Sequence, residues 1–214
     1  MNRQYYEKVF STQRMEKYFN KYSNDEEKAI THYHINIEIS EAFYSSLCLF
    51  EVALRNSLNR ELIEYYGSDW YLELEQFPEY TKLSKDIATA KTHITSRQEI
   101  ITSNKVIAEL TLGFWVRLLN SEYELTLWKH LRKAFPFVDK KDKQRHKISA
   151  PINNIRKFRN RIFHHEPISW NLDKLEEIHN TIFKVMHWLN EDLPAIANKY
   201  DRIPEIIEKA RKEI

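Results

Sequence analysis

Arg159, Asn160 and His164 fall within a single short segment, Arg156-Lys-Phe-Arg-Asn-Arg-Ile-Phe-His-His-Glu-Pro167, which Pro167 closes. A guanidinium is a permanent cation whose planar fork of donors matches phosphate oxygens. An imidazole gives or takes a proton near neutral pH. Together they offer proton transfer and charge stabilisation, which is what metal-free cleavage of a phosphodiester beside a 2′-hydroxyl requires. RNA is therefore the first substrate the segment suggests. His164 is read as the acid–base group, Arg159 as the stabiliser of charge on the phosphorane, and Asn160 as the residue that positions His164 or a phosphate oxygen. Arg156, Lys157 and Arg161, with Arg145, Lys147 and His165, are read as contacts to the RNA backbone, which give affinity without sequence information. Glu166 would either orient an imidazole or simply end the helix.

The element that must position these groups is a helix over residues 143–163, with an apolar seam of Ile148, Ile152, Ile155, Phe158 and Ile162. Asn160 and His164, four residues apart, share a face of it. Arg159 and His164 are five apart, roughly 140° around the axis, so one helix does not turn both towards the same atom. Two copies meeting on a two-fold axis would bring them together. A homodimer would also supply two imidazoles, one to take the 2′-hydroxyl proton and one to protonate the leaving 5′-oxygen.

Charge is concentrated around the same segment. The chain carries only +2 overall, yet residues 139–165 hold nine Lys and Arg against Asp139 and Asp142. Such a surplus is a footprint for a polyanion, and equally the solvated face of a basic helix.

Only two glycines occur in 214 residues, too few for sandwiches, barrels or phosphate-cradling loops, which leaves an all-α class. The length suits a single domain over residues 1–214. The lone Cys48 cannot form an internal disulfide, which fits a reducing cytosol, and is read as a small buried residue. The N-terminal residues carry no apolar leader segment, and no apolar run is long enough to span a bilayer, so a cytoplasmic protein is expected.

Further helices follow from capping and periodicity. Ser23-Asn24-Asp25-Glu26-Glu27 starts a run that ends at Tyr66-Gly67, as one very long helix or two joined near Ser40. Asp69 caps a turn holding Trp70, Tyr71 and Leu74. Pro78 opens a helix towards Arg97, and Ser103 or Asn104 begins another that Gly113 interrupts, read as a tight helix contact. Ser121 caps a helix over 122–134, another runs over 172–190, and a last amphipathic piece follows Pro204.

Other groups are assigned bland roles. His32 and His34, with His164, His165 and Glu166, lack metal-ligand spacing, so neither metal nor cofactor is expected. Trp70, Trp115, Trp128 and Trp188 fall on apolar seams; Trp170, just beyond the motif, is the best placed to touch a nucleotide. Arg55-Asn56 has Arg60 where a histidine would be needed, and the pair is read as a buried ion pair of Arg55 with Glu51, or as an RNA contact or support for the site.

The segment from Ile155 to Ile168 resembles the signature of the Abi-like (abortive infection, AbiD/AbiF type) proteins of the HEPN superfamily. Arg159, Asn160 and His164 match that superfamily's Arg-polar-x3-His motif. Ser11–Met15, Phe50–Asn56, the Tyr66–Tyr71 turn and Ala108–Trp115 look like the family's remaining blocks, in the same order. The resemblance implies a HEPN-like helical bundle with additional N-terminal helices and a metal-independent endoribonuclease whose dimer assembles a composite site. It further implies a toxin in phage defence or a toxin–antitoxin system, held in check by a partner such as a small structured RNA. Two other classes stay open on the residues alone: a non-catalytic module that grips a structured RNA, and a scaffold that binds no nucleic acid.

Overall fold

The computed structural model describes residues 2–23 and 25–214, and all regular structure among them is helical. Twelve α-helices run in order: α1 (Arg3–Phe10), α2 (Thr12–Lys21), α3 (Glu26–Tyr66), α4 (Trp70–Gln76), α5 (Thr81–Ser96), α6 (Ser103–Glu109), α7 (Leu112–Arg117), α8 (Trp128–Leu131), α9 (Arg145–Phe163), α10 (Leu172–Leu189), α11 (Leu193–Asn198) and α12 (Ile203–Glu213). None is long and apolar enough to cross a membrane.

The spine is α3. Its 41 residues form one helix, about 60 Å long at 1.5 Å per residue. Ser40 does not divide it; its hydroxyl donates to the Asn36 carbonyl one turn back, at 2.7 Å, rather than leaving the helix. The Asp25 side chain caps its start by accepting from Lys28 N; Asn24, also proposed there, lies outside the described residues. Gly67 ends it at φ +89°, a conformation that disfavours any side chain. Trp70 then folds back so that its indole N–H donates to Asn59 at 2.8 Å.

Most buried residues between Ile35 and Ala210 form one core around α3. Tyr6, Met15, Tyr18, Phe19, Ala29 and Tyr33 form a second, smaller cluster that seats α1 and α2 against the first half of α3. Phe43, on α3, meets Phe158 of α9 edge-to-face at 4.7 Å, which fixes the helix that carries the motif.

Several boundaries differ from expectation. The break before the apolar patch falls at Leu110-Thr111, where Thr111 caps α7, and Gly113 lies inside that helix. A Cβ there would meet only Thr111 Oγ1 at 3.4 Å, so no tight helix contact demands the glycine. Residues 121–134 form two 3-10 turns around the four-residue α8 rather than one helix. α9 passes through Pro151, which gives up one internal hydrogen bond. Cys48 is exposed, not buried. The apolar run over 44–54 goes right around α3, and the 3.6-residue period turns Tyr44, Cys48 and Val52 outwards together with Ile37.

Candidate functional site

The motif ends α9 with a Schellman turn in which His165 occupies the left-handed position usually given to glycine. The His165 amide donates to the Ile162 carbonyl and the Glu166 amide to the Arg161 carbonyl, both at 2.9 Å. His165 sits at φ +56°, a left-handed conformation that a non-glycine residue occupies at a cost of about 1 kcal/mol. Arg161 and Glu166 form an ion pair at 3.1 Å across this turn, and Arg161 also donates to the Pro167 carbonyl at 2.8 Å. Both residues thus close the turn. His164, the last residue before the reversal, is exposed, and its amide donates to the Asn160 carbonyl.

Behind the turn, the buried Asn36 of α3 receives the chain. Its Oδ1 accepts from the amides of Ile168 and Ser169 at 2.7 and 3.1 Å. One turn earlier, fully buried His32 uses both ring nitrogens, towards the Ser169 hydroxyl at 2.9 Å and the Tyr22 hydroxyl at 3.2 Å. Neither nitrogen is open to another ligand. Trp170 lies against His32 and Tyr18, with ring centroids 4.6 and 5.0 Å apart, and remains partly exposed beside the Lys21 ammonium.

Burial, reinforced by Lys21, pulls the His32 imidazole down to about 4. In the unfolded chain it titrates near 6.5, so between those values the unfolded state binds more protons. Stability is therefore full above pH ~6.5 and falls as pH drops towards 4, by up to about 3 kcal/mol from this group. Urea midpoints measured across that window should decline in the parent and decline less in a His32→Gln variant; parallel slopes would show that another group titrates.

In front of the turn lies an open cleft of about 240 Å³, lined by Ser11, Gln13, Arg14, Lys17 and Tyr18 on the α2 side and His164–Pro167 on the other. Arg14 Nη1 donates to the His165 carbonyl at 2.6 Å. Burial holds the Tyr18 phenol well above its ordinary value, so it is a neutral hydroxyl. Neither Arg14 nor Lys17 stands out in the sequence by residue type. The available signal was their spacing: two cations three residues apart on a helix whose other face buries Met15, Tyr18 and Phe19.

Arg159 does not enter this cleft. Its Nε is 3.4 Å from Glu51 Oε2 on α3, without the alignment of a hydrogen bond, and its guanidinium carbon lies 3.9 Å from the Phe163 ring centroid. Glu51, assigned from the sequence to Arg55, thus meets Arg159 instead, and Arg55 forms no ion pair among the described residues. Asn160 is half-buried on α9.

The six supporting residues separate clearly. Arg145 is committed to the fold, with Glu124 at 2.9 Å, the Leu119 carbonyl and Ser149. Lys147 meets Asp142 at 2.8 Å, Arg156 donates twice to Asn153, and Arg161 closes the turn. Lys157 and the His165 ring are exposed and have no side-chain partner among the described residues. Compared with known proteins, the chain matches no family model, no curated protein and no solved structure.

Proposed function

We propose that the protein is a metal-independent endoribonuclease with a HEPN-like bundle, acting as a toxin in phage defence or a toxin–antitoxin system. The observation that carries this reading is an exposed His164 at the C-terminal end of α9, lining a cleft whose other wall brings two cations. An imidazole there can exchange protons with a bound 2′-hydroxyl or 5′-oxygen, and its backbone is fixed on both sides, by Asn36 behind and Arg14 in front.

The separation of Arg159 from that cleft supports assembly from two copies. Arg159 sits beside an exposed apolar strip of Ile37, Tyr44 and Val52 on α3 and Phe163 on α9, with Tyr44 and Phe163 6.3 Å apart. A second copy docked on this strip would cover it and carry Arg159 of one copy towards His164 of the other. Attack of the 2′-oxygen then forms a cyclic phosphate while the 5′-oxygen leaves with a proton, as Arg159 holds the extra negative charge of the phosphorane.

The expected result is cutting of single-stranded RNA that proceeds undiminished in EDTA and leaves 2′,3′-cyclic phosphate ends, read by end-group mass spectrometry. A salt-sensitive gel shift with RNA that stays intact would instead identify a non-catalytic RNA-binding module.

A further inference from the structure

The cleft in front of His164 holds more positive charge than its walls balance. Arg14 and Lys17 lie three residues apart on α2 and line the same cleft as His164 and His165. Glu166 is the one carboxylate in the lining, and it is already paired with Arg161. Arg14 uses one guanidinium nitrogen on the His165 carbonyl and, like Lys17, meets no carboxylate among the described residues. At about 240 Å³ the cleft is smaller than the roughly 300–1,000 Å³ typical of small-molecule sites. It is open to solvent, as a seat for one group of a longer chain must be.

From this geometry we infer that the cleft is a seat for a backbone phosphate of the RNA, gripped by Arg14 and Lys17 of α2 next to the His164 ring. The inference rests on the nuclease reading and deepens it, because it adds α2 to the site and gives the N-terminal helices a task. Arg14 has two parts in it. Its bond to the His165 carbonyl holds the left-handed residue of the Schellman turn, so it is a positioning residue for His164. Its remaining donors point the guanidinium's charge at the incoming phosphate, where a planar fork can bind two oxygens. Lys17 contributes a point charge without any bond to the turn. No base edge is read by these groups, so the seat gives affinity and register along the strand rather than sequence preference.

The test uses the full-length protein with two probes, inorganic phosphate and a single-stranded oligoribonucleotide. Both should move the His164 and His165 imidazole signals in NMR spectra of the parent, and phosphate should no longer do so in Lys17→Ala. On a single strand each lost phosphate contact lowers the slope of log affinity against log salt by about 0.7. Lys17→Ala should therefore lower the slope measurably, and the Arg14→Ala/Lys17→Ala double variant, which empties the seat, should show the full drop of about 0.7. Because Arg14→Ala also frees the turn, Lys17→Ala, which touches no structural bond, is the decisive variant. If Lys17→Ala keeps the parent salt slope while His164→Ala stops cleavage, the phosphate seat is wrong and the nuclease stands. If phosphate moves the imidazole signals but the oligoribonucleotide does not, the seat belongs to a free anion and the RNA assignment is overturned. Binding that is lost in Lys17→Ala, with RNA never cut by the parent, would keep the seat and remove the nuclease.

Discussion

Replacement of His164 by alanine is expected to slow RNA cleavage by about 10²–10⁴-fold, the range that a positioned acid–base group contributes. The loss should come without unfolding, because the ring is exposed and makes no hydrogen bond that closes the turn; only the His164 backbone does. RNA affinity should change little, since the neighbouring cations remain. Arg159→Ala should also be strongly impaired, through loss of charge stabilisation in the transition state. The decisive step is to mix the two inactive proteins. If Arg159 of one copy serves His164 of the other, mixed dimers contain an intact pairing, and cleavage returns in proportion to their share of the population. No recovery after subunit exchange, in a mixture shown by mass to contain mixed dimers, would mean either that cleavage needs the imidazoles of both copies or that both groups act within one copy. The second of these conflicts with the Glu51 and Phe163 contacts that hold Arg159 outside the cleft. Full activity in His164→Ala would end the nuclease assignment outright.

Much of this arrangement was legible because it is local. The periodicity from Phe43 to Leu62 and the cap at Gly67 specify α3, and the seam from Ile148 to Ile162 specifies α9, since both signals repeat every turn. What stayed hidden depends on contacts distant in sequence. Cys48 occupies an apolar run, and only the packing of other helices on α3 decides which third of that run faces outwards. The basic surplus over 139–165 gave a footprint but not a face: Arg145 meets Glu124, Arg159 meets Glu51, and both acids come from elsewhere in the chain. Arg14 reaches a carbonyl 151 positions away, so no spacing rule could pair it with His165. In each case residue type stated what a group can do, and the long-range partner decided whether it is free to do it.

Asn36 is the residue on which that freedom depends most, and Asn36→Leu should destabilise the protein by about 2–6 kcal/mol. The variant fits a similar volume but removes the acceptor shared by the Ile168 and Ser169 amides, both of them in buried residues. A buried donor left without a partner costs about 1–3 kcal/mol, and here two are stranded together. Against a typical total of roughly 5–15 kcal/mol, the loss is large enough to open the segment locally. Ile168 lies four residues beyond His164, so the turn would lose its rear anchor while Arg14 still held the front. Hydrogen exchange at Ile168 and Ser169 should therefore accelerate more than exchange in the α3–α10 core, and cleavage should fall although every side chain of the motif is still present. Asn36→Asp retains an acceptor of the same shape and should restore much of the amide protection. If Asn36→Leu left those two amides as protected as in the parent, the turn would have to be held from the α2 side alone, and the rigid placement of His164 argued from α3 would fail.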